Sequence, residues 1–508
     1  MKKHTLYILT VVLSLFLIAC GEKKESTVIT GAGEYAYSGN YNETILIDAG
    51  KDDEVCIVLD GATITGTDGP AIYAKKCGKL TIRLNEGTEN CLEDSKEYAD
   101  TSEDAPTGCL FCQDDLTIEG KGTLNVSANH NDGIVSKDNL VISEGTIFIN
   151  AADDAIVGRD SLKILGGDIT INSTGHAIKT TNEDTDKGNC EIFGGVLKIV
   201  SGQDGFNVLN TLTIQDCEIT VSAEDDGIHS DKELIINSGK VDIENSNEGL
   251  EAVLITINGG DINIASKDDG INANGGNNFF GGKNFRGRFG YFSANEEADT
   301  SSESNADLNE TPALYINGGN IYVNSGGDGL DSNGFIEMNG GFVLVSGPSD
   351  NGNNATDYQN TFVMNAGTII ASGSSGMYQS ISEDSKCFAI DYITNSTIAA
   401  GTKASLLDGE EVLISFTVDK KANAILIAGE ILENGKEYSL VIGEQTETVT
   451  AGPGSSSGFG GFGEFGGFGG FGGFEGNEPP EGFDGNMPFG GRGDFDRGDG
   501  EKRDQKTR

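Results

Sequence analysis

A short motif of acid, glycine and apolar residue recurs in this chain, with an oxygen or nitrogen donor two places beyond its glycine. The later copies are Asp204-Gly205-Phe206-Asn207, Asp226-Gly227-Ile228-His229, Glu248-Gly249-Leu250-Glu251, Asp269-Gly270-Ile271-Asn272 and Asp328-Gly329-Leu330-Asp331. Asp268 stands beside Asp269, and Asp350, Asn354 and Asp357 follow in the next stretch. Oxygens at this density suit a hard cation, since calcium takes roughly 6–8 of them from carboxylates, amides and carbonyls. Turn chemistry accounts for an acid before a glycine. It does not account for Glu251 and Asp331 beyond it. We therefore read Asp204, Asn207, Asp226, Glu248, Glu251, Asp268, Asp269, Asn272, Asp328, Asp331, Asp350, Asn354 and Asp357 as candidate calcium ligands.

Other chemistry has thinner support. A calcium-dependent lyase needs a basic side chain to take a proton from a uronate, and Lys137, Arg159 and Lys179 recur near one corner of the repeat. They stand on the copies that lack the second donor, away from the densest acids. A hydrolase needs a carboxylate pair, and so many pairs exist here that the criterion selects nothing. His130, His176 and His229 share no zinc-like spacing. Cys109-Leu110-Phe111-Cys112 is a lone CxxC without a second pair. The chain has no Trp. A sugar-stacking platform, were the ligand a glycan, would then have to come from tyrosines, of which we single out Tyr315, Tyr322, Tyr358 and Tyr378.

The elements that position these residues follow from the spacing. The motif glycine or alanine falls at positions 133, 155, 177, 205, 227, 249, 270 and 329, most often 22 residues apart. His176 replaces the acid in one copy. Between motifs lie alternating runs such as Leu162-Lys163-Ile164 and Asp168-Ile169-Thr170-Ile171. Period-two alternation means short strands with one buried face. Asn, Asp and Gly at the joins suit turns with positive φ. A fixed period with three short strands predicts an all-β, right-handed parallel β-helix, each coil stacking on the last at about 4.8 Å. Residues at one place in every coil then form a ladder, which brings the acids together.

We expect the β-helix over residues 28–400, a small β cap over 401–450, and two stretches without fixed structure, an insertion at 275–311 and a tail at 451–508. Both stretches are too polar or glycine-rich to bury enough surface to offset ordering entropy. The tail repeats Phe-Gly-Gly between Phe459 and Phe474.

The N-terminus reads as an export signal. A basic start, Lys2 and Lys3, precedes an apolar run too short for a comfortable membrane span, ending Leu17-Ile18-Ala19-Cys20. This looks like a lipobox, so we expect a signal peptide at 1–19, lipidation of Cys20, a tether at 20–27, and a protein anchored on the outer side of a bacterial membrane. The remaining eight cysteines read mainly as small apolar core residues.

Bulk composition fits. The 508 residues carry 80 Asp plus Glu against 34 Lys plus Arg, a formal charge of −46, and 74 glycines. That surplus excludes a nucleic-acid partner, which would require a basic face. Scattered glycine excludes a helical bundle.

At this point the chain resembles a bacterial carbohydrate-binding β-helix domain of the clostridial cellulose- and polygalacturonate-binding type. The matching stretches include Ile29-Thr30-Gly31-Ala32-Gly33-Glu34-Tyr35, Asp115-Leu116-Thr117-Ile118-Glu119-Gly120-Lys121-Gly122-Thr123-Leu124, Asn247-Glu248-Gly249-Leu250-Glu251-Ala252 and Gly347-Pro348-Ser349-Asp350-Asn351-Gly352. The resemblance covers about residues 27–400. It implies a fold related to pectate lyases, bound calcium, and a binding module rather than an enzyme. The expectation is a monomeric, non-catalytic, calcium-loaded surface lipoprotein that binds pectin-like or, second, cellulose-like glycan. A calcium-dependent lyase and a structural envelope adhesin are the alternatives.

Overall fold

Short strands dominate from the first residues, each with apolar side chains on alternate positions. Leu162, Ile164, Ile169 and Ile171 are all at most 1% exposed, while the residues between them face outward. The computed structural model describes residues 27–102, 104–274 and 311–455, and among these every regular element is a strand. The export signal, lipidation site, insertion (save Thr311) and tail from residue 456 lie outside them.

Each repeat contributes three strands, and each strand pairs in parallel with its own equivalent one repeat on. Ile147 pairs with Ile169, Leu140 with Leu162, and Ile134 with Ile156. The pairings assemble a sheet of 13 strands and one of 24. The 13-stranded sheet takes one strand per repeat, and the motif residues lie on it or at its entry. Its register runs Val135, Val157, Lys179, Asn207, His229, Glu251, Asn272, Asp331, Asp357. The second donors are therefore one unbroken column.

The motif glycine serves this stacking in a way that differs from the sequence expectation. Gly205, Gly249 and Gly270 do not have positive φ. A Cβ on Gly249 would instead lie 2.3 Å from the carbonyl oxygen of Gly270 in the next repeat. Space, rather than turn geometry, requires glycine there. Positive φ occurs at a different corner, for example Gly260 and Gly319.

The main core runs continuously from Ile29 to Ala428. Parallel pairing ends with the strand Thr361–Gly373. Phe388–Ile398 and Ala422–Gly429 then add in antiparallel fashion, so the change of architecture comes before the residue 401 expected from sequence. The cap holds a four-stranded antiparallel sheet with its own core around Leu406, Val418 and Leu440. Residues 451–455, expected in the tail, pack here: Ala451 is buried and Gly452 bridges to Ala389. The eight described cysteines are free thiols, six of them buried.

Candidate metal and glycan site

Two columns of donors run along the motif edge of the 13-stranded sheet. In the first, several of the acids before the glycine accept the backbone N–H of their equivalent in the next repeat. Asp204 accepts from Asp226 at 3.0 Å, Asp226 from Glu248 at 3.2 Å and Asp269 from Asp328 at 2.7 Å. This bond occupies one carboxylate oxygen, and what the other meets differs from repeat to repeat.

The second column holds the residues two places beyond the glycine. In its earlier repeats the chain supplies its own partners for these acids. Lys179 pairs with Asp154 at 2.8 Å. His176 lies 3.1 Å from Asp204, which also accepts from the Asn207 amide at 2.7 Å. His229 places Nδ1 2.6 Å from Glu251 and Nε2 2.9 Å from Asp231. With a carboxylate on each ring nitrogen, its imidazolium is held far above the ordinary range, up to about 12, although burial opposes the charge.

Beyond His229 the internal cations stop. Among the described residues no Lys, Arg or His pairs with Glu248, Asp269, Asp328, Asp331 or Asp357. Burial first, then mutual repulsion, pushes Glu248 up to about 9 and Asp331 well above the carboxylate range. Asp269 rises to about 6, mainly by burial and partly by Asp268, and Asp328 to about 7 by burial and Asp269. Two charges one strand spacing apart repel by about 3 kcal/mol at an effective dielectric of 20. Asn272 sits inside this group, 4% exposed. Its amide donates to Glu248 at 2.9 Å, and its Oδ1 has no partner.

The remaining expected ligands divide. Asp226 approaches both His229 and Glu251. Asp268 is exposed beside Asp269, and both carboxylates converge on the Cα side of Gly327. Asp204 and Asn207 are satisfied internally, as described. Asn354 is a correction, because its amide donates to the carbonyl of Met377 at 2.6 Å and its Oδ1 accepts the N–H of Ala355. Asp350 is another: it is exposed and closes a local turn by accepting the N–H of Gly352.

Among the tyrosines, Tyr358 is also corrected. It is 1% exposed, with its hydroxyl donating to the carbonyl of Ser380, and no sugar can stack on it. Tyr378 donates to Asp391 at 2.6 Å and Tyr322 to Asp419 of the cap at 2.8 Å. Tyr315 lies on an outward position between Thr256 and Glu337.

Sequence reasoning missed the role of His176, Lys179 and His229. The signal was present in their positions: Lys179 and His229 occupy the second-donor place and His176 the acid place. The candidate bases are also accounted for in part, since Lys179 is paired to Asp154 and Lys137 lies over the ring of Phe111.

The family of carbohydrate-binding domain-containing proteins matches residues 23–283 and 207–352. The chain belongs to this family. A carbohydrate-binding domain-containing protein of Acetivibrio thermocellus is 42% identical over 198 residues, which are 38% of this chain and 69% of that relative. A solved structure, described as a polysaccharide lyase-like protein from C. thermocellum in a gadolinium derivative, is 36% identical. That match covers 41% of this chain and 86% of the other, with a TM-score of 0.40. The stretch matched by the family includes the donor columns from Asp132 to Asp331.

Proposed function

We propose that this protein is a non-catalytic polysaccharide-binding surface protein whose stacked repeats form a right-handed parallel β-helix loaded with calcium. Family membership supports glycan as the partner. The parallel pairing of every strand with its equivalent one repeat on supports the solenoid. One observation carries the metal: the uncompensated carboxylates around a 96%-buried amide whose Oδ1 has no partner. A buried polar atom without a partner costs about 1–3 kcal/mol, and a cation beside it removes that cost. Glu248, Glu251, Asp269, Asn272, Asp328, Asp331 and Asp357 offer hard oxygens only, which suits calcium better than zinc or copper.

In this reading calcium neutralises the column and bridges to uronate carboxylates, which overcomes repulsion between an acidic glycan and a chain of charge −46. The pairing of Lys179 with Asp154 favours a binder over a lyase, because that amine is already held as a counter-ion. Lipid anchoring through Cys20 on the outer face of the membrane completes the proposal.

The test is retention on immobilised polygalacturonate with calcium and with chelator, while following unsaturated product by ultraviolet absorbance. Calcium-dependent retention without product is the expected result. Product formation replaces this reading with the lyase, and retention that ignores chelator removes calcium from it.

A further inference from the structure

A different corner of the repeat carries a second ordered row of side chains. Asn237, Asn258 and Asn317 each follow the last residue of a strand, and Asn339 and Asn365 stand at the equivalent place within the longer strands Phe335–Ser346 and Thr361–Gly373, one residue after the paired Met338 and Met364. Their amides are linked in series. Asn258 donates to Asn237 at 2.8 Å, Asn317 to Asn258, Asn339 to Asn317 and Asn365 to Asn339, each at 2.9 Å. Asn258, Asn317 and Asn339 are exposed. A primary amide has two N–H donors and two acceptor lone pairs. One donor and one lone pair of Asn258, Asn317 and Asn339 serve the neighbours, so one of each remains for a ligand at these three steps, while Asn365 gives its second N–H to Glu337 at 3.1 Å.

Aromatic side chains border the row on both sides. Tyr315, two residues before Asn317, lies on the outward side of its strand between the buried Leu314 and Ile316. Phe342 follows Asn339 beyond the bend and is 38% exposed, one of the few large apolar side chains left open to solvent. Gly318 and Gly340, next to the asparagines, admit no side chain: a Cβ at either would lie 2.7 Å from the carbonyl oxygen of the preceding asparagine.

We propose that this amide row, flanked by Tyr315 and Phe342, is a second glycan track that takes an extended neutral polysaccharide chain without calcium. It rests on the carbohydrate-binding reading above but uses none of the carboxylates of the metal column. The step of the row is one strand spacing, about 4.8 Å, close to the length of one pyranose unit in an extended chain. A hydroxyl both donates and accepts, and so satisfies the free N–H and the free lone pair of each amide. A carboxylate only accepts, would leave the amide oxygens facing lone pairs, and is repelled by a strongly acidic protein. The aromatic rings offer apolar faces to the C–H surface of a sugar ring.

Affinity electrophoresis of the full chain through gels containing hydroxyethylcellulose, in chelator, tests this. Wild type is expected to be retarded, and the Tyr315→Ala/Phe342→Ala double variant to bind at least tenfold more weakly. Asn317→Asp, which keeps the side-chain size and its acceptor but removes the donor, is expected to weaken retardation as well. The double variant should keep wild-type melting temperature, Asn317→Asp should lower it slightly through the lost bond to Asn258, and both should keep calcium-dependent retention on polygalacturonate. Absence of retardation for wild type in chelator overturns the track, as does wild-type retardation of the double variant. Either result leaves the calcium-dependent reading standing, and loss of only the polygalacturonate retention sinks that reading and leaves this one.

Discussion

In chelator, stability should fall as pH rises through the weakly acid range. In the folded protein Asp269 is held up at about 6, Asp328 at about 7 and Glu248 at about 9, burial being the largest cause for each. In the unfolded chain these groups titrate near 4. Between pH 5 and 6.5 the native state therefore binds more protons than the unfolded state. Stability that is fully present below the unfolded pKa is lost as pH climbs toward the folded values. His229 adds little in this window, because its unfolded value is about 6.5. Each extra proton is worth about 1.4 kcal/mol per pH unit, so the excess of about two protons over 1.5 units gives roughly 4 kcal/mol. For a chain of this size that is a drop of roughly 5 °C in melting temperature. Differential scanning calorimetry at pH 5.0 and 6.5, in chelator and in millimolar calcium, reads it directly. Calcium should flatten the slope, because the cation takes the place of the protons. A melting temperature in chelator that is constant or rises with pH refutes the reasoning, and an equal slope in calcium refutes the assignment of the column to the metal.

Three further perturbations follow. His229→Gln leaves Asp226, Asp231 and Glu251 without their cation and should cost about 3–5 kcal/mol in chelator; chemical denaturation should show part of the loss restored by calcium, and no restoration would mean that His229 does not stand in for a metal. Gly249→Val forces branched carbons into the 2.3 Å gap before the carbonyl of Gly270 and should destabilise by at least 1–3 kcal/mol, or about that order, measured by urea midpoint. Lys420 of the cap donates to the carbonyl of Ser325, whereas the equivalent carbonyl of Ser266 is taken by Gly326 in the next repeat. Lys420→Met should then cost about 1–3 kcal/mol and raise hydrogen exchange at the junction of repeat and cap.

The repeat was legible because stacking needs the same residue type at the same place in every copy. Ile169, Leu197 and Ile219 hold one inward position, and the chain declares it by recurrence alone. The second-donor column was legible for the same reason. Tyr358 and Asn354 were not, since a tyrosine or asparagine at a given position has no local mark of burial. Only packing against the elements at the end of the stack turns Tyr358 inward and binds the Asn354 amide to Met377.

By itself, then, the sequence determined the period, the parallel strands and the alignment of the acids, all of which follow from local alternation and recurrence. Tertiary structure alone decided which acids remain uncompensated. Neutralisation depends on where a flexible Lys179 or an imidazole reaches across repeats, as His229 does to Glu251 from 22 residues away. The desolvation that raises Asp331 likewise depends on neighbours that stacking brings together from distant parts of the chain. Charge was written in the sequence, and its compensation was fixed only by the fold.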